Sequence, residues 1–240
     1  MEDRIDEGLP QGAEKAIPLD KADYKYKSKG NCICRINGNM KGTGFFCKVK
    51  VGGELTPVLI TNYHVVNDAF MNQNTKLTFY IKNDLHSIDI KYNKIYSSIR
   101  DKYNIMIIRL KEGEVNNYLE IDENIFDNSV DDYKNESIYI LHHPNAEEAK
   151  VSFGSGIEKV NDNDYDIKHF CHAEPGSSGG PILSKKTNKV IGIHKSSIGK
   201  GKCDYNIGTF LKFPLNELKN QNKPKGNGPK VSKNNNYYLI

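Results

Sequence analysis

The chain has 240 residues, 37% of them hydrophobic, and its 34 Lys and Arg against 30 Asp and Glu leave a formal net charge of +4. A chain of this size buries a full core in one or two domains without disulfide staples, and no stretch is apolar for the ~20 residues that a membrane-spanning helix needs. The small positive excess comes mainly from the C-terminal end and says little about partners.

Residues 1–28 lean acidic and lack apolar periodicity, which predicts a flexible N-terminal extension. The segment opens Met1-Glu2-Asp3-Arg4-Ile5-Asp6-Glu7, acidic where a secretory leader is basic and then apolar, so an unexported protein is expected. From there short apolar or alternating runs recur, bounded by Gly, Asn, Asp and Lys: Cys32 to Ile36, Thr43 to Val49, Lys76 to Ile81, Ile138 to His142, Asp166 to Phe170, Val190 to His194 and Ile207 to Leu211. Pro57-Val58-Leu59-Ile60-Thr61 adds a buried-strand candidate that would deliver His64 to a strand end. Helical periodicity is confined to a turn or two at His64 to Phe70 and in Leu215-Asn216-Glu217-Leu218. Such spacing predicts an all-β barrel or sandwich. Beyond Leu218 the run from Lys219 to Lys233 is basic with no acidic residue, and a solvated tail over 219–240 is expected rather than a nucleic-acid surface.

The cysteines, Cys32, Cys34, Cys47, Cys171 and Cys203, are odd in number and lack framework spacing, which predicts reduced thiols in a cytoplasmic compartment. Cys32 and Cys34 have no second pair of matching spacing and read as core residues. His142-His143 is no ligand pair either, because adjacent strand residues point to opposite faces.

Chemistry concentrates in three segments. Gly176-Ser177-Ser178-Gly179-Gly180-Pro181 puts a serine in a tight glycine turn, and Thr61-Asn62-Tyr63-His64-Val65-Val66 puts a histidine after a strand. A serine hydroxyl is a poor nucleophile until an imidazole takes its proton, and the resulting oxyanion needs backbone N–H donors, here those of Gly176 and Ser178. Glycines around Ser178 let the chain turn sharply enough for those amides to converge. In the third segment, Asn104-Ile105-Met106-Ile107-Ile108-Arg109-Leu110, an amide stands where a carboxylate would orient the histidine.

With Gly42-Thr43-Gly44-Phe45-Phe46 ahead of the histidine, these segments resemble the motifs of the chymotrypsin-fold (trypsin-like) serine peptidases. Gly192-Ile193-His194 resembles the strand lining the family's primary specificity pocket, and the disulfide-free character is similar to that of glutamyl endopeptidases. The likeness spans about residues 30 to 215. It implies two antiparallel six-stranded β-barrels, about 29–115 and 130–218, divided somewhere within Gly113 to Tyr133. The cleft between them would hold His64 as general base, Asn104 as orienter and Ser178 as nucleophile. It implies a polypeptide substrate, no cofactor and no metal. His172, Ala173 and His194 would line the first specificity pocket. A histidine there fits Glu or Gln before the cut. No aspartate lies at the pocket base, against a Lys or Arg preference, and Ser177 replaces the aspartate used in zymogen activation.

Asn104 leaves three readings: an inactivating change, an orienting amide as in Cys-His-Asn peptidases, or replacement by another acid, of which Asp101 is nearest. In a Ser-His-Asp peptidase, aspartate-to-asparagine replacement lowers turnover about 10⁴-fold through the wrong imidazole tautomer, or roughly 5–6 kcal/mol of barrier. The sequence therefore predicts a weakened serine endopeptidase, with a catalytically impaired peptide-binding module as the alternative.

Overall fold

The computed structural model describes residues 15–160, 163–197 and 205–221. In chain order the elements of the first half are β1 (Ile17–Pro18), the single turn α1 (Tyr24–Lys27), β2 (Ile33–Asn37), β3 (Lys41–Val51), β4 (Glu54–Thr61), α2 (Asp68–Gln73), β5 (Lys76–Ile81), β6 (Asp84–Asp89), β7 (Lys94–Ser98) and β8 (Ile105–Arg109). The second half holds β9 (Ile138–His142), β10 (Lys150–Gly154), β11 (Glu158–Val160), β12 (Asn163–His169), β13 (Pro181–Ser184), β14 (Val190–Ser197), β15 (Asn206–Phe210) and α3 (Lys212–Gln221).

The strands form two antiparallel sheets, seven strands in the order β6-β5-β2-β3-β4-β8-β7 and eight in the order β1-β10-β9-β13-β14-β15-β12-β11. The fold is mostly β with few short helices, as the strand spacing predicts, but with seven and eight strands where six and six were expected. The polar run Asp84-Leu85-His86-Ser87-Ile88-Asp89 carries little apolar signal yet pairs along the whole of β5.

The central strands of the first sheet are buried on both faces. Ile33, Phe45, Cys47, Val58, Ile60, Ile105 and Ile107 join a core that continues into the second sheet through Tyr139, Ile182, Ile193 and Phe210. Their alternates Cys34, Ile36, Phe46, Leu59, Met106 and Ile108 fill a separate core with Leu77 and Phe79. Two-sided burial explains why β4 and β8 read as continuous apolar runs rather than alternating ones. Cys32 and Cys34 fall in different cores, and burial pushes the thiols of Cys34, Cys47 and Cys171 up, that of Cys32 to about 11. Cys203 lies outside the described residues.

The expected flexible extension over 1–28 is corrected for its second half. Ile17 and Pro18 pair with Val151 and Lys150, Leu19 N–H donates to Ala149 O at 2.9 Å, and Tyr26 packs edge-on against Tyr139 and Phe153 with ring centroids 5.0 Å from each. Its anchors Ile17, Leu19 and Tyr26 are three apolar side chains spread over ten residues, too few for a period to mark them. Residues 1–14 lie outside the described residues. At the other end α3 runs to Gln221, past the boundary expected at 218, and the tail from 222 is outside the described residues. The connection after β8 is stitched to both sheets by parallel bridges, Cys47 with Leu119 and Ile121 with Val190.

Candidate active site

His64 lies three residues past the end of β4, and Asn104 immediately precedes β8, the strand paired with β4, so one sheet sets the distance between them. Asn104 has φ +51, a left-handed conformation that asparagine and aspartate tolerate. Its backbone is held at both ends: Asn104 N–H donates to Ile99 O at 3.0 Å, and Asn104 O accepts from Tyr63 N–H at 3.1 Å and from the Asn62 side-chain amide at 2.9 Å.

The side chain of Asn104 meets His64 at two points. Its Oδ1 accepts from the His64 backbone N–H at 3.1 Å. A backbone N–H is a donor only, so the atom facing it is the oxygen and the amide orientation is fixed. Nδ2 then sits 2.8 Å from His64 Nδ1, with Oδ1 farther from it at 3.2 Å. The shorter contact is a donation from the Asn104 amide to Nδ1, and the ring proton belongs on Nε2. Desolvation lowers the pKa of His64, and the charges of Arg100 and Lys195 lower it further. No carboxylate is among the charges acting on this ring, and Asp101 is exposed. The reading in which another acid takes over has no support in the described residues.

Ser178 lies in the turn between β12 and β13, and the first sheet grips that turn through Thr43 of β3. Thr43 N–H donates to Ser178 O at 2.8 Å, Thr43 Oγ1 donates to Gly176 O at 2.8 Å, and the same hydroxyl accepts from His143 N–H at 3.0 Å. A Cβ on Gly42 would lie 2.5 Å from Val65 and 3.0 Å from Ser178 O, so the histidine segment and the serine turn close on one glycine. The Ser178 hydroxyl donates to Lys195 O at 3.1 Å, and among the described residues no hydrogen bond joins it to His64. The two observations agree: an Nε2 that carries a proton cannot accept from serine. Catalytic hydrogen bonds are often long in a free enzyme and tighten when substrate binds.

The backbone of the serine turn is fixed by its neighbours. Gly176 has φ +92, and the Pro175 carbonyl before it accepts from Asn145 N–H at 2.5 Å; the peptide is trans, so the Gly176 N–H points away from Asn145. Neither this amide nor that of Ser178 has a hydrogen-bond partner among the described residues. Ser177, in the position of the zymogen aspartate, is fully buried; its Oγ accepts from Glu174 N–H at 3.0 Å and lies 2.7 Å from His142 Nδ1, while His142 Nε2 lies 2.8 Å from Ser152 Oγ. Burial holds His142 neutral, well below the ordinary histidine range. This neutral chain supports the turn from inside the second sheet. His143, on the other face, pairs with Glu147 O at 2.9 Å.

His194 on β14 is carried to the serine turn by two backbone bonds: Gly179 N–H donates to His194 O at 2.9 Å and His194 N–H donates to Gly180 O at 2.8 Å. Its Nδ1 lies 3.0 Å from Nε2 of His169, a buried ring whose Nδ1 has no partner. An orphaned acceptor is cheaper than an orphaned donor, so His169 donates through Nε2 and the His194 proton is on its own Nε2. Burial, with His64 as a further cause, lowers the His194 pKa to about 3. His172 and Ala173 lead into the turn at Glu174; Ala173 packs on the core and His172 Nδ1 is buried without a partner among the described residues.

Sequence reasoning missed several supporting residues. A β-bulge between His194 and Ser196 turns Lys195 inward, where its ammonium donates to Asp166 at 2.5 Å and to Lys102 O at 3.0 Å. Thr209 Oγ1 donates to Tyr103 O at 2.9 Å, so two residues of the second sheet hold the loop that carries Asn104. Bulges leave no mark in a single sequence, whereas Thr43 stood inside a recognised motif.

Solved structures of similar fold include the Rv3671c protease of M. tuberculosis in its inactive form, 12% identical over 88% of this chain and 98% of that one, with a TM-score of 0.60. The serine protease domain of the Sesbania mosaic virus polyprotein is 16% identical over 85% of this chain and 97% of that one, TM-score 0.60. The HtrA-type protease AlgW with a tripeptide is 13% identical over 83% of this chain and 62% of that one, TM-score 0.60. Identities this low carry the fold alone. The family described as trypsin-like peptidase domain matches residues 42–193, well over half of the length, and the chain belongs to that family of serine proteases.

Proposed function

We propose that the protein is a serine endopeptidase of low intrinsic turnover, acting through an acyl-enzyme on Ser178. The observation that carries this reading is the preformed turn around Ser178, with the Gly176 amide turned away from Asn145 and left unpartnered. In its minor tautomer, with the ring proton on Nδ1 and Nε2 free, His64 takes the Ser178 proton as the hydroxyl attacks the scissile carbonyl, the amides of Gly176 and Ser178 stabilise the oxyanion, and His64 returns the proton to the leaving amine. Asn104 weakens the first step by holding the ring proton on Nε2 and by offering no charge to the imidazolium.

His194 supports a choice of side chain before the cut. A neutral ring with a proton on Nε2 donates one hydrogen bond to an amide or carboxyl oxygen, and its reluctance to take a second proton favours Gln over ionised Glu at neutral pH. The second reading, a peptide-binding module that does not cut, is favoured by the Ser178 hydroxyl resting on Lys195 O. Labelling by a fluorophosphonate probe separates the two. We expect slow labelling of the wild-type chain, fast labelling of Asn104→Asp and none of Ser178→Ala; absence of labelling in both of the first two leaves the binding module.

A further inference from the structure

We propose that Glu217, on the C-terminal helix α3, is a positioning residue for the reaction: it holds the loop that presents Asn104 to His64. The inference rests on the serine endopeptidase reading and adds to it a residue remote from the reacting atoms. One carboxylate gathers three donors: its Oε2 accepts from the Tyr96 hydroxyl of β7 at 2.8 Å, and its Oε1 accepts from the Tyr103 hydroxyl at 2.9 Å and from the Lys102 ammonium. β7 ends at Ser98, and Asn104 stands just before β8. Glu217 therefore ties the strand that enters the loop to the two residues that precede Asn104.

Apolar burial does little to hold this loop. Ile99, Arg100, Asp101 and Lys102 are exposed, and Asn104 itself takes a left-handed backbone. Core packing resumes only at Tyr103, whose ring meets Tyr165 edge-on with centroids 5.0 Å apart. The loop gives its carbonyls to the second sheet, Lys102 O to the Lys195 ammonium at 3.0 Å and Tyr103 O to Thr209 Oγ1 at 2.9 Å. Side chains bound to α3 and carbonyls bound to β14 and β15 fix Lys102 and Tyr103 from both sides, and the next residue is Asn104. A surface ion pair alone contributes little. The phenols differ, because the rings of Tyr96 and Tyr103 are packed in the core and cannot swing away to find other partners. Without the carboxylate the loop loses one of its two anchors. Asn104 must meet both the backbone N–H and Nδ1 of His64, so a small drift of the loop is felt at the ring.

The test uses the full chain. In the Asn104→Asp background, Glu217→Ala should lower kcat about tenfold with KM changed by less than about twofold. Lys219→Ala, at an exposed position later in α3, should leave both unchanged. In the otherwise unaltered chain, the ring ¹⁵N shifts of His64 report which nitrogen carries the proton, and Glu217→Ala should turn a single Nε2–H tautomer into a mixture. A residue that only stabilises the fold lowers the melting temperature without moving those shifts. Should Glu217→Ala fail to fold, Tyr103→Phe removes one hydroxyl, keeps the packed ring and should move kcat and the ¹⁵N pattern in the same direction by a smaller amount. An unchanged ¹⁵N pattern or an unchanged kcat in a folded variant overturns the proposal, as does an equal loss from Lys219→Ala. Absent fluorophosphonate labelling of every variant would instead sink the peptidase reading, and the ¹⁵N pattern would still decide whether Glu217 sets the His64 tautomer.

Discussion

At position 104 a single side chain decides which nitrogen of His64 holds the proton. The His64 backbone N–H fixes the Asn104 oxygen, and the amide nitrogen is left against Nδ1. An aspartate in the same place would accept from both donors, put the proton on Nδ1 and free Nε2 for serine. Asn104→Asp should therefore raise kcat by about 10³–10⁴ with little change in KM, measured on a chromogenic peptide against Ser178→Ala. The same change should move the acid limb of kcat/KM to higher pH. His64 must be neutral to act, its pKa is lowered here by burial and by two cations, and a carboxylate would raise it. An unmoved limb would show that the new carboxylate does not face the ring. His194→Ala in the Asn104→Asp background should abolish the preference for Gln over Glu, read from the cleaved residue in a peptide library.

Among the elements, the serine turn depends on strands distant in sequence. β3 supplies Thr43, which holds Ser178 O through its backbone and Gly176 O and His143 N–H through its hydroxyl. Thr43→Val keeps the shape and the backbone bond but strands the other two groups, and should lower thermal stability by about 1–3 kcal/mol. It should also slow fluorophosphonate labelling of Asn104→Asp by more than that stability loss explains, since Gly176 O then no longer fixes the direction of the turn. Labelling at the parent rate would assign Thr43 to packing alone. The likeness of Gly42 to Phe46 to a family strand was legible from its residues. That this strand's threonine grips the oxyanion turn was not, because 133 residues separate Thr43 from Gly176.

At the scale of the whole molecule, the second sheet keeps four histidine rings buried and neutral. His143 is lowered to about 4 and His194 to about 3, and His142 and His169 lie well below the ordinary value of 6.5, all by desolvation first. The unfolded chain binds protons at 6.5 that the folded chain refuses, so stability is full above that pH and falls as pH drops through the window from about 6.5 toward 4 and 3. Each such ring contributes a loss of about 1.4 kcal/mol per pH unit within its window. The melting temperature should decline steeply below pH 6, and His142→Gln should flatten that decline; a melting temperature constant from pH 7 to 4.5 would mean that the rings are not buried in solution.

What the sequence by itself determined is the chemistry on offer and the strands that carry it. The period-two and continuous apolar runs gave β2, β3, β4, β5, β9, β12, β14 and β15 within a few residues, and the motif residues marked His64, Asn104, Ser178 and His194. Only the tertiary structure decided how those groups are protonated and aimed: Asn104 against Nδ1, the Ser178 hydroxyl on Lys195 O, His169 behind His194, and a neutral Ser177–His142–Ser152 chain where an ion pair was missing. It also drew residues 15–28 into the fold. Local pattern reports which face of a strand is apolar, whereas hydrogen-bond direction and the set of a bulge depend on partners brought together from remote parts of the chain.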